Sequence, residues 1–337
     1  MSGIKGNVPT IVTTAALPGR APEILAALGE VRSGPASGRL SREELLALVA
    51  GADVVASMLY DRVDGEFLDA VGPQLRGVCN VAVGFDNVDL VACARRGVVV
   101  TNTPGVLDDA TADLAFALIL AARRRLGEGE RLIRAGRPWA WGLDFMVGHD
   151  LRGGRLGIVG LGGIGSRVAA RGRAFGMEIA YFSRNDSPHA AELEATRLEL
   201  DELLASSDVL SLHSPLTPET KHLIGARELA LMKPTATLVN TARGAVVDEP
   251  ALAAALRDGV IANAGLDVFE HEPDVHPALL DLENVVLVPH IGSSTTETRD
   301  AMAELAADNA VAILRGDAPP TPVPLPATDQ PGVRSSP

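Results

Sequence analysis

The sequence predicts an α/β protein made of two doubly wound parallel-sheet, Rossmann-like domains with a cleft between them. Three observations lead there. Short β-branched runs alternate with helical patterns along most of the chain, and alternating βα units give parallel sheets covered by helices. The strand series starts twice, once at Thr10 and again at Arg155. The 337 residues suffice for about two domains of roughly 150 residues each.

In the first series, Thr10–Thr14, Val54–Met58, Leu75–Val81 and Val98–Thr101 read as buried strands, and Pro22–Leu28, Ser41–Ala50 and Leu90–Ala94 as helices. Ser41 with Glu44 three residues on is a capping-box pattern. Asp108–Arg125 reads as one long apolar helix, with Arg123, Arg124 and Arg125 in its last turn against the negative end of the dipole. The second series has strands at Arg155–Val159, Glu178–Phe182, Val209–Leu212, Thr237–Asn240, Gly265–Val268 and Val285–Val288. Helices near 163–175, 199–205, 225–232 and 248–257 separate most of them. Residues 317–337 are dense in proline, which blocks helix and sheet ladders, so an extended or disordered tail is expected.

Composition narrows the function. Apolar residues reach 47% and aromatic ones only 3%, so the cores rest on Ala, Val, Leu and Ile. A net charge of −13 disfavours nucleic acid or an anionic membrane as partner. The longest apolar run, Leu114–Ala122, is far short of the ~20 residues of a membrane span. Cys79 and Cys93 make no disulfide framework, and the first residues lack the apolar core of a signal peptide. A cytoplasmic protein is expected.

The stretch Gly160-Leu161-Gly162-Gly163-Ile164-Gly165 follows an apolar strand and opens a helix. In a dinucleotide-binding turn Gly160 permits the tight bend, Gly162 lets backbone approach a pyrophosphate, and Gly165 lets helix and strand pack closely. The amides of Gly163 and Ile164 would face the phosphates. A ligand-free βα turn is the ordinary alternative. The next strand ends in Ser183-Arg184, where such turns often place an acid for the adenine-side ribose. A guanidinium and a hydroxyl there suit a 2′-phosphate, so NADP(H) is expected to be preferred, with NAD(H) possible. Asp186 is close enough to weaken that reading.

Three polar residues fall at or beyond late strand ends: Arg243, Glu272 and His290. In open α/β sheets ligands bind at the carboxyl ends of strands. Singly, each has an ordinary reading as ion pair, solvated acid or packing histidine. Together, after a dinucleotide turn, they suggest an anion clamp beside a carboxylate-tuned acid/base. No metal site is expected, because His271-Glu272-Pro273 with His276 lacks the zinc spacing His-Glu-x-x-His.

At these residues, and at Asn80–Asp89, Thr103–Leu107 running on to Asp113, and Leu212–Thr220, the sequence resembles the D-isomer-specific 2-hydroxyacid dehydrogenase family over residues 45–316. Met58–Asp64 and the Ser183-Arg184 ending make it most similar to the glyoxylate/hydroxypyruvate reductase branch. The resemblance implies a substrate domain of residues 1–102 and 293–316, with a cofactor domain of residues 103–292 inserted in it. It implies a homodimer pairing through the cofactor domain, and a small 2-oxo acid as substrate.

His290 would be the general acid, Glu272 its orienting partner, and Arg243 the group binding the substrate carboxylate and polarising the carbonyl. The backbone amides of Val83 and Gly84 would form a second carboxylate clamp. His213, Ser214, Pro215 and Thr220 would line the adenine-ribose side of the cofactor. Thr111, Thr241, Arg243, Asp267, His290 and Gly292 would lie near the nicotinamide. His213 reads equally as a packing histidine and Thr111 as a helix residue. Trp139 and Trp141, in the linker, fit core packing or a dimer contact as well as a partner's site. Pro289 before His290 argues against a formate dehydrogenase, which has glutamine there. Two rivals stay open: a reductase of bulkier 2-oxo acids such as hydroxyphenylpyruvate, and a non-catalytic NAD(H)-sensing protein like the corepressors of this fold.

Overall fold

The computed structural model describes residues 8–327. In chain order the first elements are β1 (Thr10–Thr13), α1 (Ala21–Ala26), β2 (Glu30–Ser33), α2 (Arg42–Val49), β3 (Val54–Ser57), α3 (Gly65–Val71), β4 (Gly77–Asn80), α4 (Leu90–Arg96) and β5 (Val99–Thr101). Then follow α5 (Asp108–Arg123), α6 (Leu126–Arg134), β6 (Arg155–Val159), α7 (Gly163–Ala174), β7 (Glu178–Phe182), β8 (Thr196–Arg197), α8 (Leu200–Ser206) and β9 (Val209–Leu212). The chain continues through α9 (Ala226–Leu231), β10 (Thr237–Asn240), α10 (Glu249–Arg257), β11 (Asn263–Leu266), α11 (Pro277–Leu280), β12 (Val285–Leu287) and α12 (Thr296–Arg315). It divides into two compact units, one holding the residues up to Leu107 and from Thr295 on, the other Asp108–Ser294.

The first unit carries a five-stranded parallel sheet in the order β2-β1-β3-β4-β5. Strands β3 and β4 are buried at every residue, as expected where helices cover both faces of a parallel sheet. Val12, Val55, Val78 and Val100 pack with Leu45 and Phe67. The helices are capped as their sequences dictate. Ser41 and Glu44 form the expected capping box, Asp64 and Asp89 cap α3 and α4, and α12 ends at Gly316 in the left-handed conformation. Cys79 and Cys93 are free and buried here.

The expected tail has two parts. Residues 317–327 run extended: Thr321 bonds Asn309 on α12, Val323 N–H donates to the Val100 carbonyl at 2.8 Å, and the Val323 side chain is buried. Pairing beside β5 covers that sheet edge. Residues 328–337 lie outside the described residues.

The second unit is a seven-stranded parallel sheet, β12-β11-β10-β9-β6-β7-β8. From β6 the chain steps outward through β7 to β8, then returns to add β9 on the other flank of β6. That reversal makes the carboxyl ends of β6 and β9 the topological switch point where α/β sheets bind ligands. Helices α5 and α7 pack together and are laced by ion pairs of Arg167 with Asp108 and Asp109, and of Arg171 with Asp109 and Asp113.

Two sequence readings need correction. The long helix stops at Arg123, because Arg125 takes a left-handed backbone (φ 55°) and starts the separate helix α6. Arg123 is the last residue of that helix and is buried, and its guanidinium donates to the carbonyls of Asp208, Thr235 and Asp150. Strand β11 begins at Asn263, two residues before the expected start, so Asp267 and Val268 are loop. Five elements were missed: β2 and α6 have no buried residue, β8 is two residues long, α11 is a single turn, and α3 is a seven-residue helix that buries Phe67, Leu68 and Val71.

Candidate active site

Strand β6 runs into the glycine turn. Gly160 sits at φ +95°, and a Cβ there would lie 2.9 Å from the His213 backbone, so only glycine lets the turns after β6 and β9 meet. At Gly162 a Cβ would meet nothing within 4 Å, which leaves open space over the start of α7. No side chain caps that helix, so its first N–H groups, including those of Gly163 and Ile164, have no helical acceptor. Gly163 is glycine for a further reason: a Cβ would collide with the Asp108 carboxylate at 2.4 Å. Gly165 packs on the Gly160 carbonyl, as the fingerprint requires.

Around this turn the structure leaves buried polar atoms without partners: Ser214 Oγ and His213 Nδ1 after β9, and Thr241 Oγ1 after β10. Buried polar groups are normally hydrogen-bonded. An open glycine cradle, an uncapped helix start and three orphaned polar atoms fit a bound dinucleotide. His213 bonds Ser211 Oγ through Nε2 at 2.8 Å, and burial pulls its pKa down to about 3. It is therefore a neutral packing group with one nitrogen to spare. The Thr220 hydroxyl is committed locally, accepting from Thr217 N–H and donating to the Pro215 carbonyl, and Pro215 is exposed.

Past β7, Ser183 Oγ accepts from Leu161 N–H at 3.1 Å and Ser187 Oγ donates to the Leu161 carbonyl at 2.5 Å, so the turn 183–187 is clipped to the glycine turn. Arg184 is exposed. Asp186, whose position weakened the cofactor reading, pairs with Arg197 on β8 at 2.8 Å.

The other flank of the sheet carries Arg243, Glu272 and His290. Asn240, at the end of β10, holds the first loop: its amide donates to the Arg243 carbonyl at 2.9 Å and its Oδ1 accepts from Ala242 N–H at 3.0 Å. Gly244 lies against the Phe269 backbone, where a Cβ would fall 1.9 Å from the carbonyl carbon, so the loops bearing Arg243 and Glu272 are in direct contact. Glu272 Oε1 accepts from Phe269 N–H at 3.1 Å, and Oε2 bonds His290 Nδ1 at 2.8 Å. Burial pushes the Glu272 carboxyl up, but the His290 bond and charge, the Phe269 amide and the Arg243 charge outweigh it and hold it below its ordinary value.

His290 has a left-handed backbone (φ 52°), uncommon for residues other than glycine. Asp267 holds it there. The Asp267 carbonyl accepts from His290 N–H at 2.8 Å, and its two carboxylate oxygens accept from Ile291 N–H at 2.6 Å and Gly292 N–H at 2.8 Å. Burial pushes the Asp267 carboxyl above the ordinary range despite those amides. Thr111 on α5 is buried, with its side chain against Gly292. Two supports escaped the sequence reading. Asn240 reads as the last residue of a strand, and Glu249 as a helix-start acid, yet buried Glu249 accepts from Glu270 N–H at 2.6 Å and anchors the Glu272 loop.

In the first unit, Val83 and Gly84 follow β4. Their carbonyls accept from Asn102 at 2.8 Å and Asn80 at 2.8 Å. A trans peptide points its N–H opposite its C=O, so the Asn102 bond also fixes the direction of the Gly84 N–H.

A glycine turn at the switch point of a doubly wound sheet, with orphaned polar atoms around it, marks an α/β protein of the dinucleotide-binding class. Comparison with known proteins narrows the class. Residues 116–292 match the model of the D-isomer specific 2-hydroxyacid dehydrogenase, NAD binding domain. The chain is 49% identical over 319 residues to the glyoxylate reductase of Thermococcus gammatolerans, covering 93% of this chain and 95% of that protein. Among solved structures, the TT0316 protein of Thermus thermophilus superposes with a TM-score of 0.87 at 45% identity, covering 93% of this chain and 99% of that one. The NADPH-dependent glyoxylate/hydroxypyruvate reductase of Sinorhizobium meliloti, in complex with NADP and malonate, gives 0.82 at 36% identity, covering 94% and 97%. The chain belongs to the D-isomer specific 2-hydroxyacid dehydrogenase family.

Proposed function

We propose that this protein reduces a small 2-oxo acid, glyoxylate or hydroxypyruvate, to the D-2-hydroxy acid, and that it prefers NADPH. The observation that carries the chemistry is the His290–Glu272 bond, at 2.8 Å, on a loop in contact with the Arg243 loop. Glu272 occupies His290 Nδ1, so Nε2 is the nitrogen directed to substrate. A carboxylate on Nδ1 orients the ring and stabilises the imidazolium that donates a proton. The bound nicotinamide supplies the hydride for the carbonyl carbon. His290 Nε2 supplies the proton for the carbonyl oxygen, completing the hydroxyl group. Arg243 holds the substrate carboxylate and draws electron density toward the carbonyl oxygen. The amides of Val83 and Gly84 are proposed as further carboxylate contacts.

The preference for NADPH is supported by the turn after β7: Arg184 is exposed there, Ser183 is fixed, and Asp186 is paired with Arg197. The NADP-bound relative from Sinorhizobium meliloti is consistent with it. Oxidation of NADPH and NADH, followed in parallel with glyoxylate, tests both parts. Turnover favouring NADPH is expected; turnover with NADH alone would remove the phosphate reading and leave the catalytic one.

A homodimer is proposed on separate grounds. Ile133, Trp139, Trp141, Leu143 and Val147 are 56–89% exposed on α6 and the linker that follows, a concentration of apolar surface that usually marks an interface. Among the described residues no helix is long and apolar enough to cross a membrane. Sedimentation should show a dimer, and Trp141→Glu with Leu143→Glu should shift it to monomer.

A further inference from the structure

We propose that Arg197 sets the nucleotide preference of this protein indirectly, by holding Asp186 away from the cofactor and bracing the turn that carries Arg184. The proposal rests on the NADPH reading above and extends it to a residue that does not belong to the turn itself. One guanidinium makes three bonds. Nη1 reaches Asp186 Oδ1 at 2.8 Å, and Nη2 donates to the carbonyls of Ser183 at 2.9 Å and Arg184 at 3.1 Å. The sheet places it there: β8 pairs with β7 so that Arg197 lies beside Tyr181, two residues before Ser183.

The chemistry gives this arrangement its meaning. Asp186 is the one carboxylate between β7 and the end of that turn at Ser187, and it is 84% exposed, so nothing except Arg197 is shown holding it. A free carboxylate at this end of a dinucleotide site accepts from ribose hydroxyls and repels a 2′-phosphate. Pairing with Arg197 offsets that charge and occupies one of its two oxygens, Oδ1. The two carbonyl bonds add a smaller part, since they tie the Ser183 and Arg184 peptide oxygens to Arg197. Glu219 is a second acid within electrostatic range of Arg184, so the cationic character of the site is narrow and Arg197 decides its balance. An arginine suits this task where lysine does not, because only the planar fork reaches a carboxylate and two carbonyls together.

The test uses binding to the cofactor-free full chain, measured by calorimetry with NADPH and NADH, on Arg197→Ala, Arg197→Lys, Asp186→Asn and the double variant Arg197→Ala/Asp186→Asn. Arg197→Ala should lower the NADPH-over-NADH preference by roughly fivefold or more, with NADH binding unchanged or tighter, the size expected for an uncompensated charge a few ångströms from a phosphate near the surface. Arg197→Lys should fall between it and the wild type. The double variant should regain most of the preference, and Asp186→Asn alone should keep or raise it. An unchanged preference in Arg197→Ala would overturn the proposal, and so would a double variant as impaired as the single one, which would make Arg197 a direct phosphate ligand. A wild type that binds NADH better would overturn the NADPH reading first and this inference with it, whereas a wild type preferring NADPH with an indifferent Arg197→Ala sinks the inference alone.

Discussion

The two flanks of the seven-stranded sheet are built on opposite principles. On the β10–β12 side, each functional group is held by buried neighbours. Asp267 is 1% exposed and fixes three consecutive amides around His290, Asn240 is 1% exposed and fixes the Arg243 loop, and Glu249 is 5% exposed and fixes the Glu272 loop. On the β7–β8 side, Arg184, Asp186 and Arg197 meet in solvent, with Arg197 and Asp186 side chains 42% and 84% exposed. Hydrogen bonds inside the protein are costly to leave unmade, while exposed ion pairs contribute little to stability. Under the proposed function, the difference separates two tasks. Proton transfer needs a fixed geometry, and the buried flank supplies it at the expense of a strained His290 backbone. Choosing between two cofactors that differ by one phosphate needs only a change in local charge, which a surface turn supplies without disturbing the fold.

The largest test of this contrast is His290→Asn. Loss of the proton donor should lower kcat roughly a thousandfold, with NADPH affinity changed little, because the group lost sits on the flank that does not bind the adenosine end. Stopped-flow turnover and equilibrium binding measure the two quantities on one sample. A variant with near-normal kcat would remove His290 from the chemistry.

A smaller effect should come from His213, at the switch point between the flanks. The folded protein keeps its ring neutral down to about pH 3, whereas its ordinary value is 6.5. Between these values the unfolded chain binds a proton that the folded one refuses, so acidification favours unfolding. The slope contributed is at most about 1.4 kcal/mol per pH unit, present from about pH 6 downward and absent above pH 7. Urea denaturation at pH 7, 6 and 5 should show this loss in the wild type and a shallower one in His213→Asn. Identical slopes would mean the ring is open to protons in the folded state.

The smallest change should follow Arg184→Ala. NADPH binding should weaken about tenfold for the loss of one charge-assisted contact, with NADH binding and thermal stability unmoved. A drop in melting temperature would show that Arg184 belongs to the scaffold after all, and that the exposed flank is less independent than the contrast holds.

Much of the molecule was legible in order along the chain. The glycine turn, the strands of the second unit and the capping box at Ser41 depend on neighbours a few residues apart, and local patterns record such neighbours. Arg243, Glu272 and His290 stood out through chemistry and through the resemblance of their surroundings to a known family. The limits were also physical. Asp267 looked like a strand residue near the cofactor, but its carboxylate is spent on the backbone after His290. The Thr220 hydroxyl closes its own turn, a local role that spacing alone did not show. Arg123 is the helix end it looked like, but its hydrogen-bond partners lie up to 112 residues away.

The sequence by itself determined the repeated βα rhythm, the dinucleotide turn and the residue types available for hydride and proton chemistry, because propensity and spacing are properties of short segments. Tertiary structure alone decided which oxygen of Glu272 meets His290, that Asp267 forces the histidine backbone into a left-handed conformation, and that Arg197 on a two-residue edge strand reaches the turn of Arg184. Each joins residues far apart in the chain through contacts of about 3 Å. Hydrogen bonds weaken steeply outside a narrow range of distance and angle, so such contacts exist only after the sheet has set its register.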